Sequence, residues 1–294
     1  MEINMKTNKK SHTPTFALVY DFDRTLSTKE MQEYTYIPGV GKTADEYWAH
    51  KDSFAKERKM DGILANMWMM QKLARDAGKP IHREELVASG KDLEFFPGVK
   101  GWFKRINKLG SDIGVNIEHY VISSGFIEII EGSVLWGNFR EVYACEFLYD
   151  EEGIACWPKN SVNYSTKTQF LFRINKGVLD VSNDYDLNQF MAEEDRPIPF
   201  KNMIYIGDGM TDVPSMRLVK QNGGYSIAVY PEGSSKKVVE LLKTGRVDFI
   251  AKADYQSGSE LDTIVTDIIQ EMALRAILAQ RNKEQLRVLG DEDF

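Results

Sequence analysis

Asp21 and Asp23 stand one residue apart at the end of an apolar run, in FALVYDFDRTLS. If residues 16–20 form a buried strand, both carboxylates leave its tip on the same side, because side chains alternate with period two. Two carboxylates that close repel each other. The pair requires a metal ion or a lysine between them, or a proton on one of them. A strand that ends in a solvated acidic turn would carry the same three residues, so the decision falls to the rest of the chain.

Three further clusters have the residue types for the same chemistry. MIYIGDGMTDVPSM puts Asp208 at a strand end and Asp212 just before a helix, with Pro214 suited to that helix's first turn. Gly207 and Gly209 on either side of Asp208 would let the backbone approach a ligand closely, although an ordinary turn reads the same way. YVISSGFIEII ends another apolar run on Ser123, Ser124 and Gly125 ahead of a helical pattern. A hydroxyl with free backbone N–H groups there makes a cradle for phosphate oxygens, and Ser123 would equally serve as a helix N-cap. In NYSTKTQFLF, Thr166 and Gln169 fit a capping box and put Lys167 in the first turn of a helix. The macrodipole disfavours a cation there, so Lys167 needs a nearby anion or must extend into solvent; its removal should slightly relieve the helix. Lys159 and Lys176 compete for the same role.

The elements that must position these residues alternate. Apolar runs at 16–20, 119–123, 140–149, 203–208, 225–230 and 247–251 are separated by helical patterns, which reads as an α/β fold: an open, mostly parallel sheet covered by helices on both faces. Such sheets bind ligands at the carboxyl ends of their strands, where three of these clusters lie: Asp21 and Asp23, Ser123 to Gly125, and Asp208 leading to Asp212. Residues 27–96 differ, with apolar positions at helical spacing and no clear strand. They read as an inserted, mostly helical domain hinged near Ser27 and Pro97, between core segments 16–26 and 97–294. Within it, the run from Met67 to Met70 reads as helix core.

Taken together and in order, DFDRTLS, VISSG, the helix-start Lys167 and GDGMTD resemble the four signature motifs of the haloacid dehalogenase (HAD) superfamily. The first motif is most similar to that of the phosphoserine phosphatase-like group, and the insertion resembles that superfamily's C1-type cap. The resemblance implies a Rossmann-like core and a phosphatase that passes through an aspartyl-phosphate. Asp21 would be the nucleophile, and Asp23 the acid and base that protonates the leaving oxygen and then activates water. Mg²⁺ would be held by the carboxylates of Asp21 and Asp208 and the backbone carbonyl of Asp23, with Asp212 supporting its waters. Ser123 and Lys167, with Ser124 and Gly125 of the same motif, would hold the phosphoryl group. Glu30 matches the spacing of a cap glutamate that binds substrate in the group, whereas the position of that group's carboxylate-binding arginine falls near Met67. An alcohol-like leaving group is therefore expected in place of an amino acid, unless Lys51, Lys56 or Arg58 supplies the charge. Arg24 has no role in the motif and is expected to face solvent.

Composition narrows the partners. A net charge of -7 and a pI near 5.3 give no general basic surface for nucleic acid or anionic lipid, and the expected partner is a small phosphorylated metabolite. No segment approaches the roughly 20 apolar residues of a membrane span. The lysine-rich residues 1–15 read as a loose tail. Cys145 and Cys156 flank a turn at 150–153 and read as reduced thiols that face each other across a hairpin in a cytoplasmic protein. Two other functions fit the same residues: a phosphotransferase or phosphomutase, which would keep water from the aspartyl-phosphate, and a catalytically silent binding protein.

Overall fold

The computed structural model describes residues 13–290; most of the expected N-terminal tail, residues 1–12, lies outside the described residues. The chain alternates between strand and helix after a long helical excursion. Strand β1 (Thr15–Tyr20) leads into α1 (Tyr36–Gly39), α2 (Ala44–Arg58), α3 (Gly62–Asp76) and α4 (Arg83–Ser89). Next come α5 (Val99–Asp112), β2 (Asn116–Phe126), α6 (Ile127–Glu131), β3 (Glu141–Tyr149), β4 (Ala155–Asn160), α7 (Lys167–Lys176) and α8 (Asp184–Asn188). The chain closes with β5 (Met203–Gly207), α9 (Val213–Gln221), β6 (Tyr225–Tyr230), α10 (Lys236–Lys243), β7 (Phe249–Lys252) and α11 (Glu260–Gly290). Among the described residues no helix is long and apolar enough to cross a membrane.

The seven strands form one sheet in the order β4-β3-β2-β1-β5-β6-β7, parallel except for the β3–β4 hairpin. Central β1 is buried from Phe16 to Tyr20, as expected for a strand covered on both faces. After β1 the chain adds β2 to one side, and only later β5 to the other. The carboxyl ends of these three neighbours therefore meet where the winding reverses, which is where open α/β sheets bind ligands.

β4 is the element the sequence hides. It is a short edge strand carrying Pro158, which cannot donate to a ladder and is tolerated at a sheet edge. Its register pairs Leu148 with Trp157 and Tyr149 with Ala155, so Cys145 and Cys156 are not opposite each other. Both thiols are free, Cys145 buried and Cys156 exposed, and Cys156 donates to the Leu148 carbonyl.

The helical excursion leaves and rejoins the sheet by two segments that run side by side. Thr28 N donates to Glu94 O and Phe96 N to Leu26 O, with a bridge between Ser27 and Phe95. A second seam ties it to the β3–β4 hairpin: Ala155 N donates to Ile81 O, and Gln71 Nε2 donates to Ala155 O. In α3, Met67, Met69 and Met70 are buried, while Trp68 stacks outward on Phe54. Three of the four residues in that run are thus core, as the pattern predicts.

Candidate active site

Asp21 follows the last residue of β1, and its N–H still bonds Ile206 O of β5, so the sheet ladder fixes the start of the turn. The next residues wind tightly. Leu26 N and Ser27 N both donate to Phe22 O, and Arg24 adopts a left-handed φ of 56°, a conformation that side-chain-bearing residues avoid. This turn folds Asp23 back beside Asp21. Both are at least nine-tenths buried.

Lys167 opens α7 and is 1% exposed. Its Nζ lies 2.9 Å from Asp21 Oδ1 and 2.7 Å from Asp212 Oδ1. Of the three competing lysines, this is the one brought to Asp21: Lys159 pairs with Glu146, and Lys176 donates to the carbonyls of Leu187 and Gln189. The capping box does not form. Thr166 makes no side-chain cap, and Asn163 Oδ1 instead accepts from Ser165 N and Thr166 N. The expectation that Lys167 strains its helix is also overturned, because its ammonium reaches past the helix end into a carboxylate pair whose field far exceeds the macrodipole.

Asp208 follows β5, and Asp212 precedes α9 with Pro214 in that helix's first turn. Carboxylate oxygens of Asp21, Asp208 and Asp212 lie within 4.8 Å of one another. Tyr205, which the sequence did not single out, donates its hydroxyl to Asp212 Oδ1 at 2.8 Å, while the buried Asp212 Oδ2 has no partner. Gly207 is required by this packing: a Cβ there would stand 2.5 Å from Asp212 Oδ2, whereas one at Gly209 would meet open space.

The electrostatics follow from burial. Desolvation pushes Asp21 up to about 7, with Asp212 adding to the shift and Lys167 opposing it. Burial, then the charges of Glu30 and Asp21, hold Asp23 well above the usual carboxylate range. Burial and then Asp212 and Asp21 raise Asp208 in the same way. Desolvation works against the Lys167 cation, but Asp21 and Asp212 outweigh it and keep the ammonium charged. One buried cation thus faces four acidic groups, and three of them offer hard oxygen atoms to one point. The orphaned Asp212 Oδ2 and the surplus negative charge fit a divalent ion such as Mg²⁺.

Ser123 and Ser124 come from β2, which runs through both serines to Phe126 instead of stopping there. Ser123 is consequently no N-cap, and α6 begins only at Ile127. Its Oγ accepts from Gly125 N, and Phe126 N donates to Met31 Sδ, so these two amides are occupied and not free for a ligand. Gly125 matters by its lack of a side chain: a Cβ would lie 2.9 Å from Asp23 Oδ2. Asp23 Oδ1 accepts from Met31 N at 3.0 Å and Ser27 Oγ at 3.4 Å, leaving Oδ2 on the open side.

A cavity of about 320 Å³ opens over this cluster, lined by Asp21, Asp23, Ser123, Ser124 and Asp208 below. Glu30 and Arg24 are on its wall, together with residues of α2 and α3. Arg24 is half exposed, yet its Nε lies 3.0 Å from Glu30 Oε1 and its NH2 group 3.6 Å from Glu33 Oε1. The expectation that it simply faces solvent is corrected: it neutralises the glutamate that the spacing marked for substrate. Lys51 also lines the cavity.

The sheet order, the switch point and the helical excursion after β1 are the fold of HAD hydrolases. A HAD family hydrolase from Salmonella enterica superposes with a TM-score of 0.57 at 15% identity, over 86% of this chain and 71% of that one. A substrate-bound phosphoserine phosphatase gives 0.53 at 14% identity, over 86% of this chain and 98% of its own. A probable phosphoserine phosphatase from Vibrio cholerae gives 0.55 at 15% identity, covering 91% and 67% respectively. In sequence, an uncharacterized protein of Borreliella burgdorferi is 29% identical, over 83% of this chain and 93% of that protein. No protein-family model matches the chain.

Proposed function

We propose that this chain is a Mg²⁺-dependent phosphatase of the HAD superfamily that hydrolyses a small phosphomonoester through an aspartyl-phosphate. The observation that carries the reading is the buried Lys167 ammonium, held 2.9 Å from Asp21 and 2.7 Å from Asp212 at the tip of the central strands. A structural ion pair would balance its charges. This one leaves three carboxylates grouped around a single lysine, an arrangement that suits a site built to receive a cation and an anion together.

In this reading Asp21 Oδ1 is held by Lys167 and by Phe22 N, so Oδ2 is the oxygen that attacks phosphorus. The new O–P bond forms as the ester P–O bond breaks, and Asp23 gives its proton to the departing oxygen. Its raised proton affinity suits that acid, and it takes a proton back when water attacks the aspartyl-phosphate. Lys167 and Ser123 hold the phosphoryl oxygens. Asp21, Asp208 and the Asp23 carbonyl would hold Mg²⁺, with Asp212 beside it; the ion supplies charge neutralisation for the incoming phosphate. Residues 27–96 act as the cap over the core formed by 16–26 and 97–294.

The test is Asp21→Asn, which keeps the shape and removes the nucleophile. Turnover of p-nitrophenyl phosphate should fall below about 1% of wild type with the melting profile retained. Residual activity well above that level sinks the assignment. Free phosphate as the product, with no isomerised ester, separates hydrolysis from phosphoryl transfer.

A further inference from the structure

The helical excursion meets the turn that presents Lys167 through the side chains of Asp61 and Asn163. Asn163 Nδ2 donates to Asp61 Oδ2 at 2.9 Å, and the contact is partly buried. Asp61 is the N-cap of α3: its Oδ1 accepts from Ile63 N at 2.9 Å and from Leu64 N at 3.0 Å. The turn it starts lines the cavity, with Gly62 and Ile63 in the wall and Asn66 one turn further on.

On its other side Asn163 builds the turn before α7. Its Oδ1 accepts from Ser165 N, Ser165 Oγ and Thr166 N, its N–H donates to Thr166 Oγ1, and its carbonyl accepts from Lys167 N at 3.0 Å. Those bonds fix which way the amide faces, because turning it round would forfeit three contacts to Oδ1. One side chain therefore joins the place where α7 begins to the carboxylate that starts α3. Other ties of the excursion lie away from this turn, Gln71 on the Ala155 carbonyl of the hairpin and Arg83 on Glu131 of α6.

We propose that Asn163 is a positioning residue for the reaction: by bonding Asp61 it holds the first turn of α3 against the turn that carries Lys167, and so fixes the distance between the cavity's wall and the carboxylate cluster. This rests on the phosphatase reading of that cavity. Asn163 acts through Lys167 and the wall, not on the reacting atoms.

The test exchanges the two side chains. Asn163→Asp keeps the acceptor for Ser165 and Thr166 but sets a carboxylate against Asp61. Asp61→Asn keeps the acceptor that caps α3 but sets an NH2 group against that of Asn163. Combining the two substitutions restores one donor and one acceptor with their places exchanged. The single variants change the local charge in opposite senses, so an effect of charge alone would move them in opposite directions, whereas loss of the hydrogen bond moves them together. In the full chain with Mg²⁺, with folding checked by circular dichroism, KM for p-nitrophenyl phosphate should rise about fivefold or more in both single variants while kcat stays within about threefold of wild type. Amide hydrogen exchange at Ile63 and Leu64, measured without substrate, should speed up about tenfold in both. The double variant should return KM and exchange to within about twofold of wild type. Single variants that shift in opposite directions or not at all, or a double variant no better than the worse single one, overturn the inference and leave the phosphatase standing. If the wild type turns over no phosphoester, the phosphatase reading falls together with the positioning role, and the exchange rates alone report whether the tie holds.

Discussion

Replacing Lys167 by methionine tests whether the lysine serves the fold, the chemistry or both. The side chain is 1% exposed and its partners, Asp21 and Asp212, are 8% and 0% exposed, so water cannot take its place. At 2.9 and 2.7 Å, each contact is worth about 6 kcal/mol of Coulomb attraction at an effective dielectric of about 20. The cost of burying the ammonium offsets much of that sum. Removing one member of such a group nevertheless strands the others, and about 3–5 kcal/mol is the usual loss. Against a total stability of about 5–15 kcal/mol this is a severe change. Methionine fills the stem volume, so the loss reports charge and not a cavity.

The sign with pH is fixed. Without its lysine, Asp21 binds a proton more tightly than in the wild type, where it already stands at about 7. Over the neutral range the variant therefore takes up more protons on folding than the wild type does, and it loses stability faster as pH rises. Urea unfolding in EDTA should show a gap of several kcal/mol at pH 8 that narrows toward pH 5. Saturating Mg²⁺ should also narrow it, because a divalent ion compensates the same carboxylates. Turnover with Mg²⁺ should drop by about 10²–10³, the usual consequence of losing one charged donor to a developing anion. A metal-free variant within 1 kcal/mol of wild type at pH 8 would refute the electrostatic account, whatever its activity.

Three further outcomes are expected. EDTA should abolish phosphatase activity and lower the melting temperature, and Mg²⁺ should restore both; Ca²⁺, which accepts more oxygen ligands, should restore stability far better than turnover. Full activity after exhaustive chelation would exclude the metal. Gly125→Ala places a Cβ 2.9 Å from Asp23 Oδ2 and 2.7 Å from Met31 Sδ, so kcat should fall at least tenfold as the proton donor is displaced, with a smaller loss of stability because Met31 can move. An unchanged kcat would mean that Asp23 is not held where the proton is needed. His119, buried between Tyr20 and Asn107, is pushed down to about 3 by burial, so it folds neutral and must take a proton on unfolding below its ordinary value of 6.5. This one group should cost the wild type about 1.4 kcal/mol per pH unit between roughly pH 6 and 3, and His119→Gln should flatten that limb of the urea-midpoint curve; parallel curves would refute it.

The parts of this site that could be read in advance are those fixed by the chain's local rules. The end of the apolar run puts Asp21 at the tip of β1, and the sheet's winding brings the ends of β1, β2 and β5 together whatever their side chains; Asp23 joins Asp21 through the tight turn after Phe22 and not through strand alternation. What stayed hidden depends on contacts between distant segments. Tyr205 looks like any aromatic residue in a buried strand until Asp212 folds against it, and Asn163 Oδ1 takes the amides of Ser165 and Thr166 in the turn before α7, so the Ser/Thr capping rule misses it. The edge strand β4 carries a proline and half-exposed polar positions, so its pattern is weak.

Arg24 marks the limit most sharply. It sits in the turn that presents both aspartates, at a left-handed φ of 56° that a sequence does not announce, and that conformation swings its guanidinium to Glu30 and Glu33. Spacing and the family resemblance marked Glu30 for an amine or hydroxyl of the substrate. With Arg24 3.0 Å away, the same glutamate already holds a cationic partner supplied by the chain itself. The carboxylate floor of the cavity is thus set by the ends of β1 and β5 and by the turn after Phe22. The opposite wall is set by one backbone torsion and by the way α2 and α3 pack over it, which is why a single sequence points to the reacting groups well before it points to what they would act on.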